Sequence, residues 1–119
     1  GDVTSRLMYA WGLPFSVEVG HPDKETLDVY KFSLKTGKAP SSPTRVDLDK
    51  RLMKAKVTDA PLSDSEYKKY WMAAGEERLN SMKTFVKGVN DDTPERVIDR
   101  NLEVVNRRAD NAGRKALQK

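Results

Sequence analysis

The sequence predicts a mainly α protein with three principal helices, at about 23–36, 63–87 and 94–117, plus an extended N-terminal arm and a long wrapping loop. Three observations lead there. Ser63 precedes Glu66 by three residues, the spacing of a capping box in which each side chain bonds the other's free backbone N–H. Ile98, Leu102, Val105, Ala109, Ala112 and Ala116 recur at spacings of 4, 3, 4, 3 and 4, which is a heptad seam. Pro22 and Asp23 open a helix that Gly37 closes.

The arm, 1–22, comes first. Arg6 to Trp11 has the length of one or two helical turns, and Pro14 to Val19 alternates with a period of two. That alternation puts Phe15, Val17 and Val19 on one side of an extended segment. A lone strand is not stable by itself. The arm is therefore expected to lie along helices or clasp a partner.

In the first helix, Asp23 and Glu25 stand at the positive end of the dipole. Leu27, Tyr30 and Leu34 share a face, with Val29 and Phe32 beside it, and Pro40 and Pro43 prevent the helix from resuming after Gly37. The linker, 38–62, is rich in Pro, Ser and Thr at its start. Within it Val46-Asp47-Leu48 alternates, Leu52-Met53 is expected to form a helical turn, and Val57 is expected to tuck inward. A connection of this length without firm structure is unusual in a compact domain, so it reads as a wrapping segment.

Residues 63–119 read as a helical hairpin. Leu62 and Tyr67 flank the Ser63 cap as a hydrophobic staple, and Tyr67, Tyr70, Trp71, Ala74, Leu79, Met82, Phe85 and Val86 follow at helical spacing. Gly75 in mid-helix implies a bend or a close backbone approach, and Gly88 supplies the stop. Thr93 reads as the next cap, with Pro94 in the first helical position.

Composition bounds the function. Leu, Ile, Val and Phe are 25 of 119 residues, a thin core that implies stability borrowed from self-association or a parent assembly. Gly1 in place of Met is expected of a processed product or a piece of a longer polypeptide. There is no cysteine, hence no disulfide or thiolate ligand, and no apolar run approaches membrane-spanning length. Of the formal net charge of +4, the last helix holds most, through Arg96, Arg100, Arg107, Arg108, Arg114, Lys115 and Lys119. Such a cluster either attracts nucleic acid or complements the dipole of its own helix.

The constellations that carry chemistry elsewhere are weak here. His21 is the only histidine and precedes a proline, so it reads as a turn residue; no metal or other cofactor is expected. The acid pairs Glu76-Glu77, Asp91-Asp92 and Asp47 with Asp49 sit in polar surroundings, unlike a desolvated acid/base pair. One histidine leaves no serine a credible base. An enzymatic role is not expected. Tyr67, Tyr70 and Trp71, with Lys68 and Lys69 among them, read as packing residues before base-stacking ones. Arg107, Arg108, Arg114 and Lys115 are candidate phosphate contacts.

The segment order also carries a resemblance. A Pro-Phe-x-Val arm from Pro14 to Val17, an acid-started helix from Asp23 to Thr36, Pro43-Thr44-Arg45-Val46, then Leu62 to Tyr67 with Tyr70 and Ala74-Gly75 further on, and a basic Ala/Arg helix follow one another. This resembles the C-terminal module of large bacteriophage internal virion, DNA-ejection or tape-measure-like proteins. The chain departs from that pattern in a longer, more basic stretch from Asp47 to Ala60, and in Val89-Asn90-Asp91-Asp92 between the last two helices. The resemblance implies a non-catalytic structural module, located in the virion and in the host cytoplasm during assembly. Its expected partners are phage virion proteins or further copies of itself, met through Tyr67, Tyr70, Trp71, Ile98, Leu102 and Val105. The alternative reading is a small basic helical nucleic-acid-binding protein.

Overall fold

The computed structural model describes residues 23–118; the arm expected at 1–22, with its extended segment and His21, lies outside the described residues. Among the described residues the chain is mainly helical, with α1 (Lys24–Thr36), α2 (Arg45–Lys54), α3 (Asp64–Lys87), α4 (Glu95–Leu117) and no strand. The expected helices are present as α1, α3 and α4. The correction is α2, which occupies the middle of the expected linker.

Each start has a physical cause. Ser63 and Glu66 form the capping box in both directions, Glu66 N–H to Ser63 Oγ at 3.2 Å and Ser63 N–H to Glu66 Oε1 at 2.9 Å. Thr44 starts α2 by accepting from Asp47 N–H at 3.2 Å. At α4 the expectation of a Thr93 cap fails: Pro94 is the capping residue and makes no side-chain cap bond. Thr93 Oγ1 instead accepts from Asn90 N–H at 3.0 Å, tightening the connecting turn.

Asp23 caps α1, its Oδ1 accepting from Thr26 N–H at 2.8 Å. Bonds from Thr26, and then from Lys83, hold its carboxyl at about 2, below the ordinary 3.8. A depressed carboxylate stabilises the fold above its unfolded pKa and loses that contribution as pH falls through the folded one. Asp23→Ala is therefore expected to cost about 1 kcal/mol at neutral pH. Urea midpoints should show the gap to wild type closing as pH drops from 3.8 toward about 2. A gap that stays constant over that window would contradict the charged cap.

The helix ends explain what the sequence pattern concealed. Gly37 takes φ +70° and its N–H reaches Ser33 O at 2.9 Å, a left-handed stop of the expected kind. The end of α2 uses the same geometry without glycine. Lys56 sits at φ +60°, Lys56 N–H reaches Met53 O at 3.0 Å, and Val57 N–H reaches Leu52 O at 2.9 Å. Those two bonds are the paired closure of a Schellman turn. The chain then folds back on α2: Asp49 Oδ1 accepts from Leu62 N–H at 3.0 Å, and Arg45 donates to Leu62 O at 2.9 Å.

Two apolar clusters stand along the α3–α4 hairpin. Leu79 and Met82 meet Ile98, Leu102 and Val105, while Tyr70 and Ala74 meet Ala109. Early α3 residues thus face late α4 residues, so the pair is antiparallel. Val29, Tyr30 and Phe32 of α1 complete the first cluster; Leu48 and Leu52 of α2, with Leu62, complete the second. In α1 the buried face is Thr26, Val29, Tyr30, Phe32 and Ser33. The expected Leu27–Tyr30–Leu34 face is corrected accordingly, because Leu34 is 69% exposed and Leu27 is exposed as well. Small Thr26 and Ser33 sit on the inward side, where the two bulky leucines are not. Gly75 is buried within α3.

Candidate functional site

The residues expected to meet a partner are placed as follows. Tyr70, Ile98, Leu102 and Val105 are buried among the chain's own side chains. Tyr67 is half-buried beside the second cluster, with the Arg45 guanidinium 4.9 Å from its ring centroid, and Trp71 is half-buried. Tyr70 and the Ile98–Leu102–Val105 stretch of the seam are therefore covered within one chain, while Tyr67 and Trp71 are covered only in part.

Tyr70 anchors a polar knot at the α2 end of the hairpin. Its hydroxyl donates to Asp110 on α4, and its ring lies close against the backbone of Gly113. Arg51 of α2 lies 3.6 Å from Asp110 Oδ1, and Arg114 Nε lies 2.8 Å from Asp110 Oδ2. The Arg114 Nε–H does not point along that line, so this contact is an ion pair and not a hydrogen bond. Burial, and then the Asp110 carboxylate, push the Tyr70 phenol above its ordinary value. Arg78, 2% exposed in the middle of α3, is shifted downward by burial. A guanidinium nevertheless stays protonated in proteins. Three helices are tied together here by charge and hydrogen bonding.

At the other end, α1, the end of α3, the 88–93 turn and the start of α4 enclose a groove of about 700 Å³. Its apolar lining comes from Phe32, Val86, Val89 and Ile98, and Phe85 braces Phe32 edge-on at 5.5 Å and 78°. Ion pairs ring it: Lys35 with Asp91, Lys87 with Glu25 at 2.7 Å, and Lys38 with Glu95 at 3.0 Å and Asp99 at 2.5 Å. The Lys87 and Lys35 bonds lower the carboxyl pKa values of Glu25 and Asp91, and the two α4 acids raise that of Lys38. Hydroxyls at the groove are committed to local bonds, Thr36 Oγ1 to Phe32 O at 2.8 Å and Thr93 Oγ1 to the Asn90 turn. The groove thus combines an apolar floor with a rim of paired charges. Its residues are scattered over three helices and a turn, and no local spacing in the sequence signals it.

The candidate phosphate contacts divide. Arg107, Arg108 and Lys115 are exposed and make no ion pair within the described residues, whereas Arg114 is held by Asp110. Arg96 and Arg100, also exposed and unpaired within the described residues, join them; the seven-residue spacing of Arg100 and Arg107 was the available signal. Among the described residues there is no group of three or more His, Cys, Asp or Glu arranged to hold a metal ion. No helix among them is long and apolar enough to cross a membrane. In comparisons with protein-family models, curated proteins and solved structures, the chain finds no significant match.

Proposed function

We propose that the chain is a non-catalytic helical docking module. Its segment order resembles that of the C-terminal parts of large tailed-phage proteins, and on that resemblance we place it in a virion assembly, as part of an internal core or DNA-ejection protein. The groove floored by Phe32, Val86, Val89 and Ile98 is the observation that supports this reading. A neighbouring subunit, either another copy or a second virion protein, inserts apolar side chains there. The rim pairs at Lys35, Lys38 and Lys87 then exchange partners across the contact. Removing such side chains from water contributes about 25 cal/mol per Å² of apolar area. The rim charges add register more than affinity.

Val89 is the residue to test, because it is half-buried in the connecting turn and supports the first cluster only from outside. Val89→Arg is expected to change unfolding free energy by no more than about 1 kcal/mol. It should abolish association in sedimentation velocity, run on the chain alone and mixed with purified virion subunits. A variant that assembles like wild type, or a wild type that associates with neither, would overturn the reading.

A further inference from the structure

The outer face of α4 carries charge that the fold leaves unused. Of its four acids, Glu95 and Asp99 are held by Lys38, and Asp110 is held by Arg51, Arg114 and the Tyr70 hydroxyl. Glu103 is the one α4 carboxylate without an ion pair among the described residues. Arg96, Arg100, Arg107, Arg108 and Lys115 are exposed and equally unpaired there. At about 100° per residue these five fall within a single arc of roughly 120°, opposite the Ile98–Leu102–Val105 seam, and Glu103 lies at its edge. From Arg96 to Lys115 the arc runs roughly 28 Å along the axis. Asn111 lies within the same arc and adds a neutral hydrogen-bonding group.

We infer that this face binds the phosphate backbone of duplex DNA without sequence preference, a function beyond the docking groove at the other side of α4. The length matches a little under one duplex turn of about 34 Å. Arginine suits phosphate because its planar fork can take two oxygens. The choice of duplex over single strand rests on the side chains between the cations. Single-strand binders stack bases on aromatic rings, and α4 contains no aromatic residue. The interposed residues are Val97, Val104 and Asn111, which offer no stacking platform. Three to five phosphates neutralised give a slope of log K against log salt of about −2.7 to −4.5.

The test is a salt titration by fluorescence anisotropy with a labelled duplex of about three turns, from about 50 to 200 mM salt. Wild type should lose about 40- to 500-fold in affinity over that range. R100Q/R107Q, which should keep its helical circular dichroism, is expected to flatten the slope by about 1.8. R114Q should leave the slope unchanged, because Asp110 already holds that guanidinium. R96Q/R108Q serves as a second pair should the first perturb folding, with the same expected flattening. No binding at about 50 mM salt, an unchanged slope in a folded double variant, or a flattening by R114Q equal to that of R100Q/R107Q would each overturn the assignment. So would tighter binding to a single strand of the same length, or to polyglutamate, which would mark a different class of partner.

Discussion

Gly113→Val should lower the unfolding free energy by about 3 kcal/mol, the upper part of the range for overpacking a close-packed site. The reason lies in the Tyr70 ring. A Cβ on Gly113 would stand 2.5 Å from Tyr70 Cδ2 and 2.8 Å from Cζ, well inside van der Waals contact. The ring cannot swing aside cheaply, because Tyr70 is 3% exposed and its hydroxyl is tied to Asp110. Gly113→Ala sets two effects against each other: about 1 kcal/mol gained in helix propensity and about 1–3 kcal/mol lost to the clash. The clash should win, leaving alanine destabilising by roughly 1 kcal/mol. Denaturant unfolding of both variants, repeated in a Tyr70→Leu background, checks the cause. In that background the ring is absent and Gly113→Ala should become stabilising. If alanine destabilises equally with and without the Tyr70 ring, the close approach is not what Gly113 is for.

That glycine also shows how far the sequence can be read. The seam predicted from Ile98 to Ala116 is the inner face of α4, with Ile98, Leu102, Val105 and Ala109 buried as spaced. Heptad spacing is local to one helix and survives folding intact. Its partner is not local: Gly113 lies one residue past Ala112 of the seam, and only the antiparallel pairing brings Tyr70 onto it. The aromatics at helical spacing were legible as a packing face for the same reason, while their destination inside the chain was not.

The α1 face was less legible, because apolar residues surround that helix on several sides. Leu27 and Leu34 outweigh Thr26 and Ser33 on any hydrophobicity count, yet the small pair faces inward. The small pair lies on the face that carries Val29, Tyr30 and Phe32 into the first cluster, whose other members come from helices distant in sequence. The groove was illegible altogether. Phe32, Val86, Val89 and Ile98 share no period, and their convergence follows from where α1 meets the hairpin turn.

Helix α2 was concealed for a different reason, and it carries the second large effect. Prolines at 40 and 43 mark a linker, Val46-Asp47-Leu48 mimics a strand period, and the stop signal expected of glycine is borne by Lys56. The helix nevertheless inserts Leu48 and Leu52 into the second cluster, with Leu52 fully buried at 0% exposure. Leu52→Ala is expected to cost about 2–5 kcal/mol, the transfer of the lost methylene groups plus the cavity they leave. Val46→Ala on the same helix, 61% exposed, should change stability by no more than about 0.5 kcal/mol. The contrast separates an integral helix from a wrapping loop. A linker lying on the surface would give two similar, small values in chemical denaturation. An integral α2 gives values that differ severalfold. A large loss at Leu52 should also slacken the knot at Asp110, since Arg51 reaches that carboxylate from the same turn of α2. Amide hydrogen exchange would then rise in Arg45–Lys54 and around Tyr70 together, while the Leu79–Ile98 end of the hairpin keeps its protection.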